Sequence, residues 1–305
     1  MKFTDYQDTG DGIKSPLTDL QKYSKFWDRG KWDHYIAPHI TENVTGMTYI
    51  DMGCNAGLFL KYAQDLGFSR IIGIDINPDV VKRGIVYREK VGGKWDIRVG
   101  KMEEVLKDLP VADYMSFINS HYYLLIKDWL DMLDILHKKT RYCILTATRK
   151  KKYFCLASSR ERNMIQFFKS WELVSHIPQL PREDDPCPRS LSTFCFQSPS
   201  LERMPLNKLT RGHHMEGDFY TELEKGIHPL ETSFYKSLRQ RSRRATDEQL
   251  QQWMLDKVAT YEDIKKNGIK EPIIVNKDNS VLDGNYRLKM LEFWGDETTI
   301  IRRVH

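Results

Sequence analysis

One short run constrains this chain more than any other. Thr48-Tyr-Ile-Asp-Met-Gly-Cys-Asn-Ala-Gly-Leu58 reads as a strand, a tight glycine turn and the opening of a helix. Gly53 and Gly57 let the backbone come close to a ligand and let the helix pack on the strand. Asp51, at the strand's end, is placed to accept hydrogen bonds from that ligand or from the loop. The next apolar run, Arg70-Ile-Ile-Gly-Ile-Asp75, ends in a second acid 24 residues after the first. An acid at that place reads as an acceptor for ribose hydroxyls.

The pattern around this unit is alternating. Apolar runs predict strands at Met47–Met52, Arg70–Ile74, Asp96–Val99, Ala112–Asn119 and Arg141–Ala147, and a late one at Leu191–Gln197. Helical periodicity occupies Leu58–Leu66, Pro78–Val91, Leu124–His137 and residues 157–175. Strands alternating with helices predict an α/β fold with a mostly parallel, Rossmann-like sheet covered on both faces. The aromatic segment before it, with Tyr23, Phe26, Trp27, Trp32 and Tyr35, predicts short helices acting as a lid. Gln179–Ser190, with three prolines and three consecutive acids, predicts an exposed loop.

The chain has 305 residues, about twice a typical domain. Ser198, Pro199 and Ser200 mark the boundary, giving domains at 1–199 and 200–305. Beyond it the alternation stops: a strand near Met204–Leu209, a helical middle from Leu230 to Lys266 and a closing strand–turn–helix predict a smaller α+β domain. No stretch approaches the roughly 20 apolar residues of a membrane span. The N-terminal residues lack the apolar core of a secretory signal, and five cysteines without a CxxC pair argue against a disulfide framework or a zinc site. The expectation is a cytoplasmic protein without a bound metal. Its net charge of +5 is concentrated: residues 138–169 hold ten basic residues and one acid, Glu161.

Two cofactor classes use a loop of this geometry. A dinucleotide pyrophosphate calls for Gly-x-Gly-x-x-Gly at a helix N-terminus, whereas here only Gly53 and Gly57 stand, with Asn55 between them. The acid Asp51 would repel a pyrophosphate and suits a cationic or zwitterionic ligand. Met47–Asp79 resembles the nucleotide-binding half of the class I S-adenosylmethionine (SAM)-dependent methyltransferases, and the likeness extends over about residues 30–200. It implies that Asp51, Gly53, Asn55 and Gly57 line the methionine and ribose part of SAM. It further implies that Asp75 holds the ribose hydroxyls, with Ile76 beside the adenine. Gly100-Lys-Met-Glu103 matches the family's adenine-contacting turn, which assigns Lys101 and Met102 to the cofactor. Asn119-Ser-His-Tyr-Tyr123 falls where donor and acceptor meet, with Asn119 on the cofactor.

Methyl transfer is an in-line displacement, so alignment of the acceptor comes first. A hydroxyl acceptor also needs a base, and His121, just past the fourth strand, is the candidate. The amino-methylating motif of DNA enzymes is absent, since Asn119-Ser-His-Tyr takes its place, and Cys187 lies in the wrong loop for cytosine C5 chemistry. The run Arg149–Lys152 follows the fifth strand on the side where ligands approach; with Lys138, Lys139, Arg160 and Arg162 it favours a small anionic acceptor, a sugar or nucleotide-linked metabolite. A nucleic acid is the second reading.

Near the C-terminus, Asn267-Gly-x-x-x-Pro-Ile-Ile-Val and Asp283-Gly-Asn-Tyr-Arg-Leu form a strand, a turn and a helix start. Residues 201–305 resemble the ParB/sulfiredoxin-like domain. The likeness implies that Asp283, Gly284, Asn285 and Arg287 bind phosphate, and that a nucleotide such as ATP is a second ligand. Asn285 and Tyr286 stand where kinase-like relatives carry two histidines. Arg239-Gln-Arg-Ser-Arg-Arg244 is a further candidate for polyanion contact.

Overall fold

The computed structural model describes residues 29–121, 124, 126–147, 161–178, 192–210, 218–242 and 245–304. The chain divides into two compact units, Met1–Leu201 and Glu202–His305.

In the first unit seven strands form one sheet: β1 (Thr48–Met52), β2 (Arg70–Asp75), β3 (Asp96–Val99), β4 (Ala112–Phe117), β5 (Thr140–Ala147), β6 (Glu172–Ile177) and β7 (Ser192–Gln197). Their spatial order is β3-β2-β1-β4-β5-β7-β6. The first five run parallel, and β7 runs antiparallel to both its neighbours. The helices are α1 (Leu58–Leu66), α2 (Pro78–Lys90), the short α3 (Met102–Val105), α4 (Ile126–Lys139) and α5 (Glu161–Phe167). Strand order reverses between β1 and β4, and a ligand crevice forms beyond strand ends at such a point.

Both faces of the sheet are covered, and strand pleating sorts the side chains between them. Ile50, Met52, Met115, Phe117, Cys143 and Leu145 join Trp129, Leu136 and Phe168 in one core. Tyr49, Ile71, Tyr114 and Ile144 join Trp32, Phe59, Leu60 and Val81 in the other. Each fully buried large apolar side chain contributes on the order of 1.5–3 kcal/mol. One buried ionic cluster is paired at the start of the strands. Arg141 bonds Asp113 (3.0 Å) and Glu42 (3.4 Å), and the other Asp113 oxygen accepts from the Thr48 N–H (2.9 Å). This cluster stands where β1, β4 and β5 begin, at the opposite end of the sheet from the crevice.

Upstream of β1, Trp32–Ile36 forms a π-helical turn continued by a 3-10 turn, Ala37–His39. The Trp32 indole packs on Tyr49 (6.0 Å), Phe59 (5.9 Å) and Tyr62 (5.8 Å). His39 ties the segment down: its Nδ1 pairs with Ser175 Oγ (2.6 Å) and its Nε2 with Thr193 Oγ1 (2.8 Å). The other lid aromatics, Tyr23, Phe26 and Trp27, lie outside the described residues, as does the Gln179–Ser190 loop.

One expectation is corrected. The helix predicted over 157–175 is only α5, and Glu172–Ile177 is instead the edge strand β6. Its residues do not alternate cleanly, its pairing with β7 shifts register between Leu173 and Ser175, and no glycine or proline separates it from the helix.

The second unit has a four-stranded sheet of β8 (Leu201–Pro205), β9 (Ile273–Val275), β10 (Val281–Asp283) and β11 (Thr298–Arg303), ordered β10-β9-β11-β8. Its helices are α6 (Phe219–Glu224), α7 (Ser233–Arg241), α8 (Asp247–Asn267) and α9 (Asn285–Phe293). The continuous helical middle expected from Leu230 is broken into α7 and α8. Thr246 and Gln249 form a reciprocal capping box at the break, satisfying donors that a new helix would leave open. The strand expected over Met204–Leu209 lies earlier, at β8, and Leu206–Lys208 turns as a 3-10 helix. The helices close over Lys257, which is 6% exposed. Its Nζ sits 3.5 Å from the Tyr286 ring centroid, 4.8 Å from Phe234 and 5.2 Å from Trp253. Among the described residues no helix is long and apolar enough to cross a membrane, and no group of His, Cys, Asp and Glu is placed to hold a metal ion.

His39 makes acid stability a measurable consequence. Burial, helped by His176, lowers its imidazole from 6.5 to about 4. The unfolded chain therefore takes up the proton first, and stability present above pH 6.5 is lost as the pH falls towards 4. At 1.36 kcal/mol per pH unit the loss reaches on the order of 3 kcal/mol. His121, lowered by burial to about 4, adds to the same slope. The melting temperature measured between pH 7.5 and 4.5 should fall steeply, and His39→Gln should remove about half of that fall.

Candidate active site

The loop between β1 and α1 is held against the end of β2. The N–H groups of Gly53 (2.7 Å) and Cys54 (2.9 Å) both donate to the Ile74 carbonyl. The next N–H, of Asn55, donates to Asp75 Oδ2 (2.8 Å), and Asn77 N–H donates to Oδ1 (2.9 Å). Asp75 is thus fixed at the strand end with lone pairs left over on each oxygen. Burial raises its carboxyl above the usual range, opposed by those backbone donors. Ile76 and Val99 are exposed beside it (42% and 53%), and Val99 pairs directly with Asp75 across β2 and β3. Two exposed apolar side chains flanking a carboxylate form a surface for a flat ring joined to a diol.

Gly53 has φ +87°, and a Cβ there would lie 2.4 Å from Ser120 Cβ. The loops after β1 and β4 therefore meet backbone to side chain, and only glycine fits. Asn55 adopts φ +53°, a region asparagine tolerates. Its Oδ1 accepts from Ala56 N–H (2.9 Å), so it replaces a glycine without leaving a polar group stranded. Gly57 caps α1 at φ +81°. Asn119, at φ +57°, gives its N–H to Thr146 Oγ1 (2.8 Å), whose hydroxyl donates to Asn119 Oδ1 (3.1 Å).

Asp51 is 1% exposed. Its Oδ1 accepts from Ser116 Oγ (2.7 Å), which in turn is bonded to the Tyr49 hydroxyl (2.7 Å). Burial pushes its carboxyl up to about 7, with the Asp75 charge acting in the same direction and Ser116 and Lys31 against it. Asp51 is thus held within the sheet, on Ser116 of the neighbouring strand β4.

Several predicted residues sit differently from expectation. His121 is fully buried, its ring tilted at 41° to Trp129 with centroids 5.3 Å apart. Met102 opens α3 and is partly buried against the core. Lys101 turns to Glu104. The basic run is not one patch: Lys139 is buried and donates to the Leu109 carbonyl (3.0 Å), on the far side from the crevice. Arg149–Lys152 and Arg160 lie outside the described residues, as do Tyr122, Tyr123 and Cys187. In the second unit Gly284 enters α9 at φ +95°. Arg287 there is bonded to Asp283 (2.6 Å) and to the Glu271 carbonyl (2.8 Å), and Asn285 Oδ1 is buried without a partner among the described residues. Arg239 pairs with Asp247.

Sequence reasoning missed Ser120 and Val99. The Ser120 hydroxyl is buried and has no partner among the described residues, which is the mark of a wall built for a polar ligand. An orphaned hydroxyl, a fixed carboxylate and an exposed apolar pair fit SAM's nucleoside and amino-acid parts.

Residues 25–183, just over half of the chain, match the family described as Methyltransferase domain, and the protein belongs to that family. Its first unit carries a methyltransferase domain. Within it, 78 residues are 33% identical to the ribosomal protein L11 methyltransferase of Escherichia coli (strain 55989 / EAEC), covering 24% of this chain and 27% of that protein. The chain thus spans about a quarter of the length of the curated relatives it matches. Among solved structures, the N-methyltransferase NodS from Bradyrhizobium japonicum WM9 is similar at 15% identity with a TM-score of 0.48, over 59% of this chain and 99% of that one. The magnesium protoporphyrin IX methyltransferase from Synechocystis PCC 6803, with bound SAM, is similar at 15% identity with a TM-score of 0.49, over 62% and 89%.

The close approach at Gly53 is open to test. Gly53→Ala combines an unfavourable φ, which costs about 1–3 kcal/mol, with a steric clash against Ser120. Urea denaturation should show at least that loss, and calorimetry should show S-adenosylhomocysteine binding weakened at least tenfold.

Proposed function

We propose that this methyltransferase modifies a hydroxyl of a small, anionic acceptor, a sugar or nucleotide-linked metabolite, with His121 as the base. The observation that carries the reading is the position of His121. It directly follows Ser120, the residue that a Cβ on Gly53 of the cofactor loop would meet, and this adjacency supports a place for it beside the donor methyl group. SAM when bound supplies an electrophilic methyl group on a sulfonium. Asp75 orients the ribose, and the Asn55 and Gly53 backbone fixes the loop.

Burial keeps the His121 imidazole neutral at pH 7, the form a base must have, but also weakens its basicity. An anionic acceptor set against it recovers part of that basicity by charge. The basic run after β5, Arg149–Lys152, supports the same choice of acceptor. Calorimetry with S-adenosylhomocysteine tests the cofactor half: Asp75→Ala should weaken binding at least tenfold, and undiminished affinity would remove Asp75 from the ribose site. A screen of hydroxylated anionic acceptors with labelled SAM tests the other half. With the acceptor so found, His121→Asn should lower kcat by about 10²–10⁴ at pH 7 and leave S-adenosylhomocysteine affinity unchanged.

For residues 201–305 we propose a ParB/sulfiredoxin-like unit that binds a phosphate-bearing ligand. Support comes from the strand–turn–helix β10–Gly284–α9 and the buried, unpartnered Asn285 Oδ1. A phosphate there has to compete with Asp283 for Arg287. ATP, ADP or CTP should raise the melting temperature of the whole chain, less so for Arg287→Ala; no shift with any of them would end this reading.

A further inference from the structure

Four aromatic rings in the second unit surround one ammonium. Phe219 of α6, Phe234 of α7, Trp253 of α8 and Tyr286 of α9 come from four different helices. They meet in sequence order: Phe219 lies 5.4 Å from Phe234, Phe234 6.0 Å from Trp253, and Trp253 6.1 Å from Tyr286. The arc starts in the interior, where Phe219 is fully buried, and ends at the surface, where Tyr286 is 36% exposed. Lys257 lies one turn after Trp253 on α8, and its Nζ is held within the arc.

That ammonium does not fill the arc evenly. Its Nζ is 3.5 Å from the Tyr286 centroid but 4.8, 5.2 and 5.5 Å from those of Phe234, Trp253 and Phe219. Heavy atoms in contact stand about 3.5–4 Å apart, so the nitrogen touches Tyr286 and stops short of the other three rings. A carbon–nitrogen single bond adds about 1.45 Å. A nitrogen whose methyl groups touched the rings would therefore stand about 5–5.5 Å from them, which is the separation three of the four rings show. The arc has the girth of a methylated ammonium. Ring faces attract any cation, but a quaternary ammonium leaves water more readily than a lysine, because it has no N–H donors to strand.

We propose that Phe219, Phe234, Trp253 and Tyr286 form a binding site for a small molecule bearing a quaternary ammonium, with Lys257 as its built-in occupant. On ligand entry Lys257 swings aside on its flexible four-carbon stem. The exchange conserves charge, since one cation leaves the rings as another arrives, and the displaced ammonium regains its hydration. The site depends on neither the SAM reading of the crevice nor the phosphate reading of the Gly284 turn.

Calorimetry at fixed ionic strength tests this with choline and its uncharged isostere, 3,3-dimethylbutan-1-ol, on the full-length wild type, Lys257→Ala and Tyr286→Ala. The wild type should bind choline at least tenfold more tightly than the isostere. Lys257→Ala, which removes the internal competitor, should bind choline at least tenfold more tightly than the wild type, and Tyr286→Ala should weaken binding at least tenfold. Equal affinity for choline and the isostere, or no binding of choline to the wild type, would overturn the assignment. So would an unchanged choline affinity in a folded Lys257→Ala, by showing that Lys257 only supports the packing. Where circular dichroism shows Lys257→Ala unfolded, the wild-type pair of ligands and Tyr286→Ala decide. A trimethyl-lysine peptide bound at least tenfold more tightly than choline would overturn the choice of a small molecule.

Discussion

Three consecutive backbone N–H groups, those of Gly53, Cys54 and Asn55, fold back onto the end of β2 and find two acceptors there, the Ile74 carbonyl and the Asp75 carboxylate. Much of the catalytic unit follows from this knot. It forces positive φ at Gly53 and Asn55, brings the loop against Ser120, and starts α1 at Leu58. It also aims the Asp75 carboxylate before any ligand arrives. A site whose acceptor is held by main-chain donors loses little entropy on binding, because no long side chain has to be ordered.

This knot was legible because its code is local. Glycine spacing, an acid at each strand end and the switch from period two to helical period all lie within Thr48–Asp75. The sheet core was legible for a similar reason, since continuous apolar runs such as Ala112–Phe117 have few other places to go. What stayed hidden depends on distant partners. β6 has no turn residue before it and exists because β7 offers an edge. Ser120 acquires meaning only when the loops after β1 and β4 pack together. The basic stretch from Lys138 looked uniform in the sequence, yet Lys139 and Arg141 point inward because strand pleating and the start of β5 decide their direction. His121 likewise read only as a base just past the fourth strand, and its burial beside Trp129 depends on α4, which the local run does not encode.

The second unit shows the same division. The Thr246 and Gln249 box and the glycine stop at Gly268 are local signals, and α8 obeys both. That Lys257 would lie inside a ring of aromatics was not readable. On a helix surface its ammonium would be solvated, but α6, α7 and α9 supply Phe219, Phe234 and Tyr286 around it. Cation–π attraction of this kind offsets part of the desolvation of a buried charge.

The bonds of His39 to Ser175 and Thr193 span 136 and 154 residues of sequence. Such contacts carry a large loop-closure entropy and form late. As the chain leaves the ribosome, β1 to β5 can pair before β7 exists, but His39 lacks its Thr193 partner until β7 has emerged, and its other partner, Ser175, sits on β6, whose strand neighbour is β7. The His39 end of the N-terminal segment is consequently among the last parts to settle. A nascent chain halted before β7 would hold the first five strands and the Gly53–Asp75 knot with that segment still untied at His39, which separates the folding of the loop from the completion of the unit.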